Sequence, residues 1–297
     1  MASGRTEAKH PQAQGLDERS PAEVLKILAA GQAAAAGAVD SAIDDIAEAA
    51  TLAAGALRSG GRLVYVGAGS SGLMAMADAL ELPGTYGIPR DRIVILLAGG
   101  AASLENLAGG YEDDTALAVS DAEAARIGKG DCVICVTASG STPYAIAIAD
   151  HAQSHDARVI AIANNPGAPI FAYADTSILL QTPPEVISGS TRMGAGTAQK
   201  IALNMLSTLV GVQLGHVHDG YMVNLKADNI KLKDRASRIV AGISGVETDE
   251  AVRLLQQADG SVKAAVLLAA GAANLAAAQA ALDKSGQSLR RALTTFK

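Results

Sequence analysis

Five short apolar segments recur along the first two thirds of the chain, with longer segments of helical character between them. Each is continuously apolar rather than alternating, as is typical of strands buried on both faces of a parallel sheet. The lengths between them suit right-handed β–α–β connections. The predicted strands are residues 62–66, 93–98, 131–137, 159–163 and 176–180. The pattern thus predicts an α/β fold with a doubly wound, five-stranded parallel sheet.

Helices are predicted on either side of this sheet. Ser20-Pro21-Ala22-Glu23 combines a capping serine, a proline at the first helical position and a glutamate that completes a capping box. A long alanine-rich helix should therefore begin at about Pro21 and end near Gly60-Gly61. No strand is predicted after Gly189. Helices are instead predicted over about 193–214 and 224–240, and short amphipathic helices from residue 245 onward.

These elements suggest three regions in a chain of 297 residues. Residues 1–19 form a polar N-terminal arm, and residues 20–244 form the α/β domain with its flanking helices. Residues 245–297 form a small helical domain, with breaks at Gly260 and Gly271. A chain of this length can bury one substantial core and carry a smaller appendage.

Composition and charge exclude several classes of function. The net charge of −6 argues against a nucleic-acid partner, which would require a basic surface. No uninterrupted apolar run is long enough to predict a membrane span. The first fifteen residues lack the hydrophobic segment of a signal peptide. We therefore expect a cytoplasmic protein with no membrane partner.

The only cysteines, Cys132 and Cys135, form a C-x-x-C pair inside a predicted strand. Such a pair can be a redox centre or half of a zinc site. Residues three apart on a strand point to opposite faces, however, and no second cysteine pair exists to complete a metal site. We interpret both cysteines as core residues and expect no metal.

The first candidate binding loop follows the first strand and reads Gly67-Ala68-Gly69-Ser70-Ser71-Gly72. It matches the G-x-G-x-x-G pattern of dinucleotide sites. Those sites also need an acidic residue at the end of the next strand, and this strand ends in Leu97-Ala98-Gly99-Gly100. We expect no nucleotide cofactor. Backbone amides at the start of a helix can still bind an anion.

Two further loops carry hydroxyl groups in similar places. The segment Thr137-Ala138-Ser139-Gly140-Ser141-Thr142 follows the third strand and precedes a predicted helix. Hydroxyl and amide donors in such a loop can bind a phosphate, although serine and threonine also cap helices. After the fifth strand come Glu185, Ser190, Thr191 and Arg192, for which helix capping and a solvated arginine are the alternatives. Ligands of open α/β sheets bind beyond the carboxyl ends of the strands, so the loops should form one site.

Two carboxylates and a histidine pair are the other candidates for chemistry. Glu81 lies between leucines at the predicted end of a helix, where the helix dipole should raise its pKa. Glu112 opens an acidic Glu-Asp-Asp run that could equally be an ordinary helix start. His216 and His218 form an H-x-H pair without a nearby third ligand, and a polar turn between helices is the favoured interpretation.

The loops, in this order and spacing, resemble those of the sugar isomerase (SIS) domain, and nearly the whole chain resembles N-acetylmuramic acid 6-phosphate etherases. Gly69-Ser70-Ser71, the Thr137–Thr142 loop and Glu185 with Ser190-Thr191 resemble the phosphosugar-binding segments. Thr6-Glu7 resembles the N-terminal arm of these etherases. The longest similar stretches read GSTRM and AGTAQK, followed by LKDRA.

This resemblance implies a carbon–oxygen lyase of amino-sugar metabolism and cell-wall recycling. It would remove D-lactate from N-acetylmuramic acid 6-phosphate, or from a related amino-sugar phosphate, and leave N-acetylglucosamine 6-phosphate. By position, Glu112 would be the base that abstracts the C2 proton and Glu81 the acid that protonates the lactate. Gly69, Ser70, Ser71, Thr137, Ser139, Gly140, Ser141, Thr142, Glu185, Ser190, Thr191 and Arg192 would bind the substrate. The resemblance also implies a homodimer that uses no cofactor.

The chain differs from the usual pattern of the family at three basic positions. Leu73, Ser141 and Gly194 stand where an arginine or a lysine is usual. Each charge-assisted hydrogen bond contributes about 1.5–3 kcal/mol, so we expect weaker binding of a doubly anionic sugar. The alternatives to an etherase are an aldose–ketose phosphosugar isomerase and a non-catalytic sugar-phosphate sensor on the same fold.

Overall fold

The computed structural model describes residues 4–107 and 109–296. Its backbone contacts group the chain into two compact units. The first comprises Met1–Ala79 with Asp91–Ser207, and the second comprises Leu80–Arg90 with Thr208–Lys297. The boundaries that the sequence suggests, after residues 19 and 244, stay predictions.

Helices and strands alternate through the first unit, and helices dominate the second. The α-helices are α1 Pro21–Ala36, α2 Ile43–Arg58, α3 Gly69–Tyr86, α4 Thr115–Ala124, α5 Pro143–Ser154, α6 Gly194–Gln213, α7 Ile230–Ser244, α8 Thr248–Gln257, α9 Val262–Ala269, α10 Leu275–Lys284 and α11 Leu289–Leu293. The strands are β1 Leu63–Gly67, β2 Ile93–Leu97, β3 Cys132–Thr137, β4 Arg158–Ala163, β5 Thr176–Leu179, β6 Val217–His218 and β7 Tyr221–Met222.

The first unit is built on a five-stranded sheet in the order β2-β1-β3-β4-β5, in which all pairs are parallel. The prediction of a doubly wound α/β fold is confirmed, and each strand lies within one residue of its predicted bounds. Helix α2 packs on one face of the sheet and α5 on the other, with α4 beside α5. Because both faces are covered, β1 and β3 are buried at every position.

The two cysteines lie in the interior of β3, as predicted. Both are free and buried, and burial raises the pKa of each thiol to about 12. Cys135 belongs to the core cluster that α4 and α5 form with one face of the sheet. A thiol with such a pKa stays protonated at neutral pH and is a poor nucleophile.

The predicted long N-terminal helix is divided in two. The capping box at Ser20 and Glu23 is present, but a 3-10 segment, Gly37–Ala42, separates α1 from α2. By length and composition alone, the helical segment Pro21–Arg58 could cross a membrane, in contrast to the sequence expectation, although this criterion is weak. Of its most apolar 18-residue window, 17% is buried.

Helix α3 does not end at Glu81 as predicted. It continues through Pro83 to Tyr86, and Gly87 follows in the left-handed conformation with φ +63°. The Gly87 amide donates to the carbonyl of Pro83 at 3.1 Å, a typical helix-terminating contact. Proline removes one amide donor, and here that loss does not stop the helix. Glu81 is therefore an exposed residue within the helix.

The second unit differs from its prediction at two places. Helix α7 begins at Ile230 rather than near residue 224, because the Asn229 side chain caps it by accepting from the Leu232 amide at 3.0 Å. The histidine segment contains a short antiparallel pair, β6 with β7, instead of a simple polar turn. Breaks near Gly260 and Gly271 separate α8, α9 and α10, as expected from the sequence.

The start of α6 is held by a buried carboxylate. Both oxygens of Glu185 accept hydrogen bonds from free amides at the beginning of this helix, Gly194 at 2.9 Å and Ala195 at 2.8 Å. The carboxylate is buried and carries a negative charge against the positive end of the helix dipole. The contact fixes the segment 186–193, which contains part of the candidate site.

We expect Glu185→Ala to lower the free energy of unfolding by about 1–3 kcal/mol, because two buried amides lose their acceptors. Glu185→Gln keeps one acceptor oxygen and should lose less. Denaturant unfolding of each variant measures the loss, with Glu123→Ala, an exposed position on α4, as the control. Equal stabilities of the Glu185→Ala and Glu123→Ala variants would contradict this role.

Candidate active site

The candidate site lies at the point in the sheet where the strand order reverses, between β1 and β3. β1 pairs with both β2 and β3, and the chain leaves β1 towards β2 but leaves β3 towards β4 on the opposite side. The loops after β1 and β3 therefore diverge and leave a crevice at the carboxyl ends of the strands, the usual ligand position in such folds. A cavity of about 160 Å³ occupies this place.

The loop after β1 supplies the floor of the cavity through Ala68, Gly69, Ser70 and Ser71. Gly69 has φ +51°, and a Cβ atom there would lie 2.7 Å from Oε1 of Glu112. Only glycine allows the carboxylate to approach the backbone this closely. Because α3 begins at Gly69, its first amides lack helical partners and can receive an anion.

The loop after β3 contributes a cluster of hydroxyl groups. Thr137, Ser139 and Thr142 line the cavity. The Oγ1 atoms of Thr137 and Thr142 are 2.8 Å apart, and Thr137 Oγ1 also accepts from the Gly140 amide at 3.2 Å. Thr142 precedes α5, yet its side chain does not cap that helix. These hydroxyls and the start of α5 are suited to bind a phosphate.

Glu112 brings a carboxylate into the same cavity. It ends a 3-10 turn, Gly109–Glu112, and is half-buried. Burial raises the pKa of Glu112, and the neighbouring negative charge of Asp113 raises it further. A carboxylate with a raised pKa is a stronger base when ionised and a proton donor closer to neutral pH.

The N-terminal arm completes the lining, which sequence reasoning did not predict. Thr6 and Glu7 line the cavity together with Gly189 and Thr191 of the third loop. The Gly189 amide donates to the Thr6 carbonyl at 3.1 Å, so arm and loop are joined directly. The resemblance of Thr6-Glu7 to the N-terminal arm of the family was the one indication in the sequence that these residues matter. It did not indicate that the arm lies beside the cavity.

Several predicted binding residues do not line this cavity. Gly140 has φ +75° and packs so tightly that a Cβ would lie 2.2 Å from that of Ala168, so its role is structural. Ser141 is exposed and donates to Ser139 Oγ at 3.1 Å, while Glu185 caps α6. Ser190 and Arg192 also lie outside the lining. Arg192 is exposed and, within the described residues, has no partner.

Glu81, the other carboxylate of interest, also lies outside the lining of the cavity. It is twelve residues after Gly69 in α3, more than three helical turns from the loop. It belongs to the part of the helix that groups with the second unit. The cavity in the first unit contains a different second carboxylate, that of Glu7.

The cavity is polar but has no basic side chain among the described residues that line it. The three positions with neutral residues in place of family cations, Leu73, Ser141 and Gly194, do not line it either. The Cβ atom of a side chain at position 194 would lie 3.1 Å from Oε2 of Glu185, next to the carboxylate that caps α6. The amides, hydroxyls and helix N-termini of the lining can bind an anion, and the carboxylates are available for proton transfer.

Comparison with known proteins identifies relatives of the whole chain. Residues 28–164 match the family model described as the SIS domain. An N-acetylmuramic acid 6-phosphate etherase from Deinococcus radiodurans is 44% identical over 89% of this chain and 87% of its own length. The etherase from Pectobacterium atrosepticum is 40% identical over 97% of this chain and 95% of its own.

Solved structures include a phosphoheptose isomerase from Neisseria gonorrhoeae. It is 21% identical in sequence, with a TM-score of 0.49, and the match covers 64% of this chain and 97% of the isomerase chain. The etherase relatives are far more similar in sequence and match 89–97% of this chain. On this similarity, the chain belongs to the N-acetylmuramic acid 6-phosphate etherase family.

Proposed function

We propose that this protein is a carbon–oxygen lyase that cleaves the D-lactyl ether of N-acetylmuramic acid 6-phosphate. The products are N-acetylglucosamine 6-phosphate and D-lactate. The observation that carries the proposal is the position of the Glu112 carboxylate, which lies close to Gly69 in the cavity lined by the loops after β1 and β3. The names of relatives at 40–44% identity support the same reaction.

The phosphate binds through neutral donors in this proposal. The first amides of α3 and the hydroxyls of Ser70, Ser71, Thr137, Ser139 and Thr142 supply the donors along the lining of the cavity. Two helices, α3 and α5, begin there, and the positive ends of their dipoles favour a dianion. Binding without lysine or arginine is weaker, and it leaves the catalytic carboxylate without a cation that would lower its pKa.

Glu112 acts as the base. In the open-chain sugar the C2 proton is acidic because it is adjacent to the C1 carbonyl. Transfer of this proton to Glu112 gives an enolate, which expels the lactate oxygen from C3 and forms a C2–C3 double bond. Water then adds at C3 while C2 regains a proton, so the ether is hydrolysed overall. Burial of Glu112 favours its protonated form and so strengthens it as a base.

The departing lactate oxygen needs a proton, and Glu81 is our candidate donor. The support is its place in the L-E-L-P-G-T-Y-G segment, which resembles the glutamate segment of the family. Glu81 does not line the cavity of the first unit, so this role rests on the sequence resemblance and not on the geometry that supports Glu112.

We also propose that the protein is a cytoplasmic homodimer. The exposed apolar surface of the helical segment Pro21–Arg58, with Leu25 65% and Ile43 51% exposed, supports packing against a second copy. A phosphorylated sugar does not cross membranes unaided, which supports an intracellular site of action. The net charge of −6 supports a protein that does not bind nucleic acid.

Replacing the base should abolish turnover without unfolding the protein. We expect Glu112→Gln to lower kcat by about 100–10,000-fold, because the amide cannot accept the C2 proton. D-lactate release from N-acetylmuramic acid 6-phosphate measures this, with Glu123→Gln as a surface control. Activity within tenfold of wild type would contradict the role of Glu112. Exchange of the C2 proton without lactate release by the wild-type protein would indicate an isomerase instead.

The pKa of Glu112 should determine the pH below which kcat/KM falls. The base must be ionised, so kcat/KM should fall as the pH drops through a pKa above the usual glutamate range. Asp113→Asn removes a neighbouring negative charge, which lowers this pKa and should extend activity to lower pH. A pH profile of kcat/KM measures the shift, with Asp91→Asn, an exposed acid elsewhere, as the control. A shift to higher pH would contradict the assignment.

Dimerisation through the N-terminal helices can be tested separately. We expect light scattering to give twice the chain mass for the wild type and a smaller species for Leu25→Glu, since a buried charge disfavours the interface. Val119→Glu places the same charge on α4, at another exposed apolar position, and should leave the mass unchanged. A monomeric wild type at micromolar concentration would refute the homodimer.

A further inference from the structure

The N-terminal arm is fixed to the carboxyl edge of the sheet on both sides of Glu7. The Thr6 amide donates to Asn165 Oδ1 at 3.3 Å, and Asn165 Nδ2 donates back to Thr6 Oγ1 at 3.1 Å. Ser188 Oγ donates to the Glu7 carbonyl at 2.8 Å. With the contact between the Gly189 amide and the Thr6 carbonyl, these bonds hold the backbone of Glu7 beside the cavity.

The Glu7 side chain is exposed to solvent at the edge of the cavity. Within the described part of the chain it makes no hydrogen bond or ion pair, although the backbone around it is well bonded. A Cβ atom on Gly189 would lie 3.2 Å from Glu7 Oε2, so the missing side chain at Gly189 leaves space for the carboxylate. Gly189 has φ +74°, a conformation that also favours glycine.

The charges of the cavity give a ligand a preferred orientation. Glu7 and Glu112 are both negative when ionised, and the described lining has no cation to offset them. A phosphate is therefore repelled from Glu7 and favoured at the amides and hydroxyls of the first two loops. An ionised carboxylate only accepts hydrogen bonds, so a ligand must present hydroxyl or amide protons to Glu7.

We propose that Glu7 is a specificity-determining residue that accepts a hydrogen bond from a hydroxyl or acetamido N–H of the bound sugar. It orients the sugar with the phosphate at the first two loops. The choice of an amino-sugar phosphate as ligand rests on the proposed function. A charge-assisted hydrogen bond of this kind corresponds to about a 10- to 100-fold effect on affinity.

The experiment compares a sugar phosphate with inorganic phosphate, which lacks the sugar that Glu7 would contact. Calorimetry gives Kd for N-acetylglucosamine 6-phosphate and for inorganic phosphate with wild type, Glu7→Ala, Glu7→Gln and Glu18→Ala. Glu18 is an exposed carboxylate of the same arm outside the cavity. Thermal unfolding of each variant shows whether the fold is intact.

We expect Glu7→Ala to weaken binding of the sugar phosphate at least tenfold and to change the Kd for inorganic phosphate less than twofold. Glu7→Gln keeps an acceptor oxygen and should fall between wild type and Glu7→Ala. Glu18→Ala should change neither constant. These results would support the proposal.

Two outcomes would overturn it. An unchanged Kd for the sugar phosphate in Glu7→Ala means that the carboxylate does not contact the sugar. Equal weakening of both ligands means that the arm only maintains the cavity. Both ligands bind without turnover, so failure of the wild type to release lactate would count against the proposed reaction alone.

Discussion

The parallel pairing of β1 with β3 is the constraint on which the chemistry of this protein depends. It places the ends of both strands side by side, although the chain leaves them in opposite directions. Two helix N-termini and two hydroxyl-bearing loops then face one small cavity. The close approach of Glu112 to Gly69 is possible only because the backbone there carries no side chain. Binding donors and the proton acceptor are therefore placed by the same pair of strands.

Much of this arrangement could be predicted from local sequence. The central strands β1 and β3 are almost continuously apolar because both faces of the sheet are covered, and the loops that follow them carry glycine and hydroxyl residues in consecutive positions. The buried state of Cys132 and Cys135 follows from strand periodicity in the same way. These features depend on residues close together in the chain, which is where patterns are informative.

The remaining features depend on residues far apart. Thr6 meets Asn165 across 159 positions, and no periodicity indicates that the arm lines the cavity. The role of Glu185 as the cap of α6 is also visible only in the folded structure, because a glutamate beside hydroxyl residues could equally bind a ligand. Helix α3 continues past Glu81 because Gly87, not Pro83, stops it, and either residue is a common helix terminator. In each case the sequence pattern allows two structures, and only the contacts made in the folded chain distinguish them.

The contacts of the arm have a consequence for the order of biosynthesis. Glu7 is made before its partner Ser188, which is 181 positions later. At about 5–20 residues per second, a ribosome needs roughly 10–35 s to cover that distance. The two glycine- and hydroxyl-rich loops are synthesised during this interval, before Asn165 and Ser188 provide the arm with its partners. The wall of the cavity that contains Glu7 is therefore completed late, and a nascent chain cannot hold its ligand as the finished protein does.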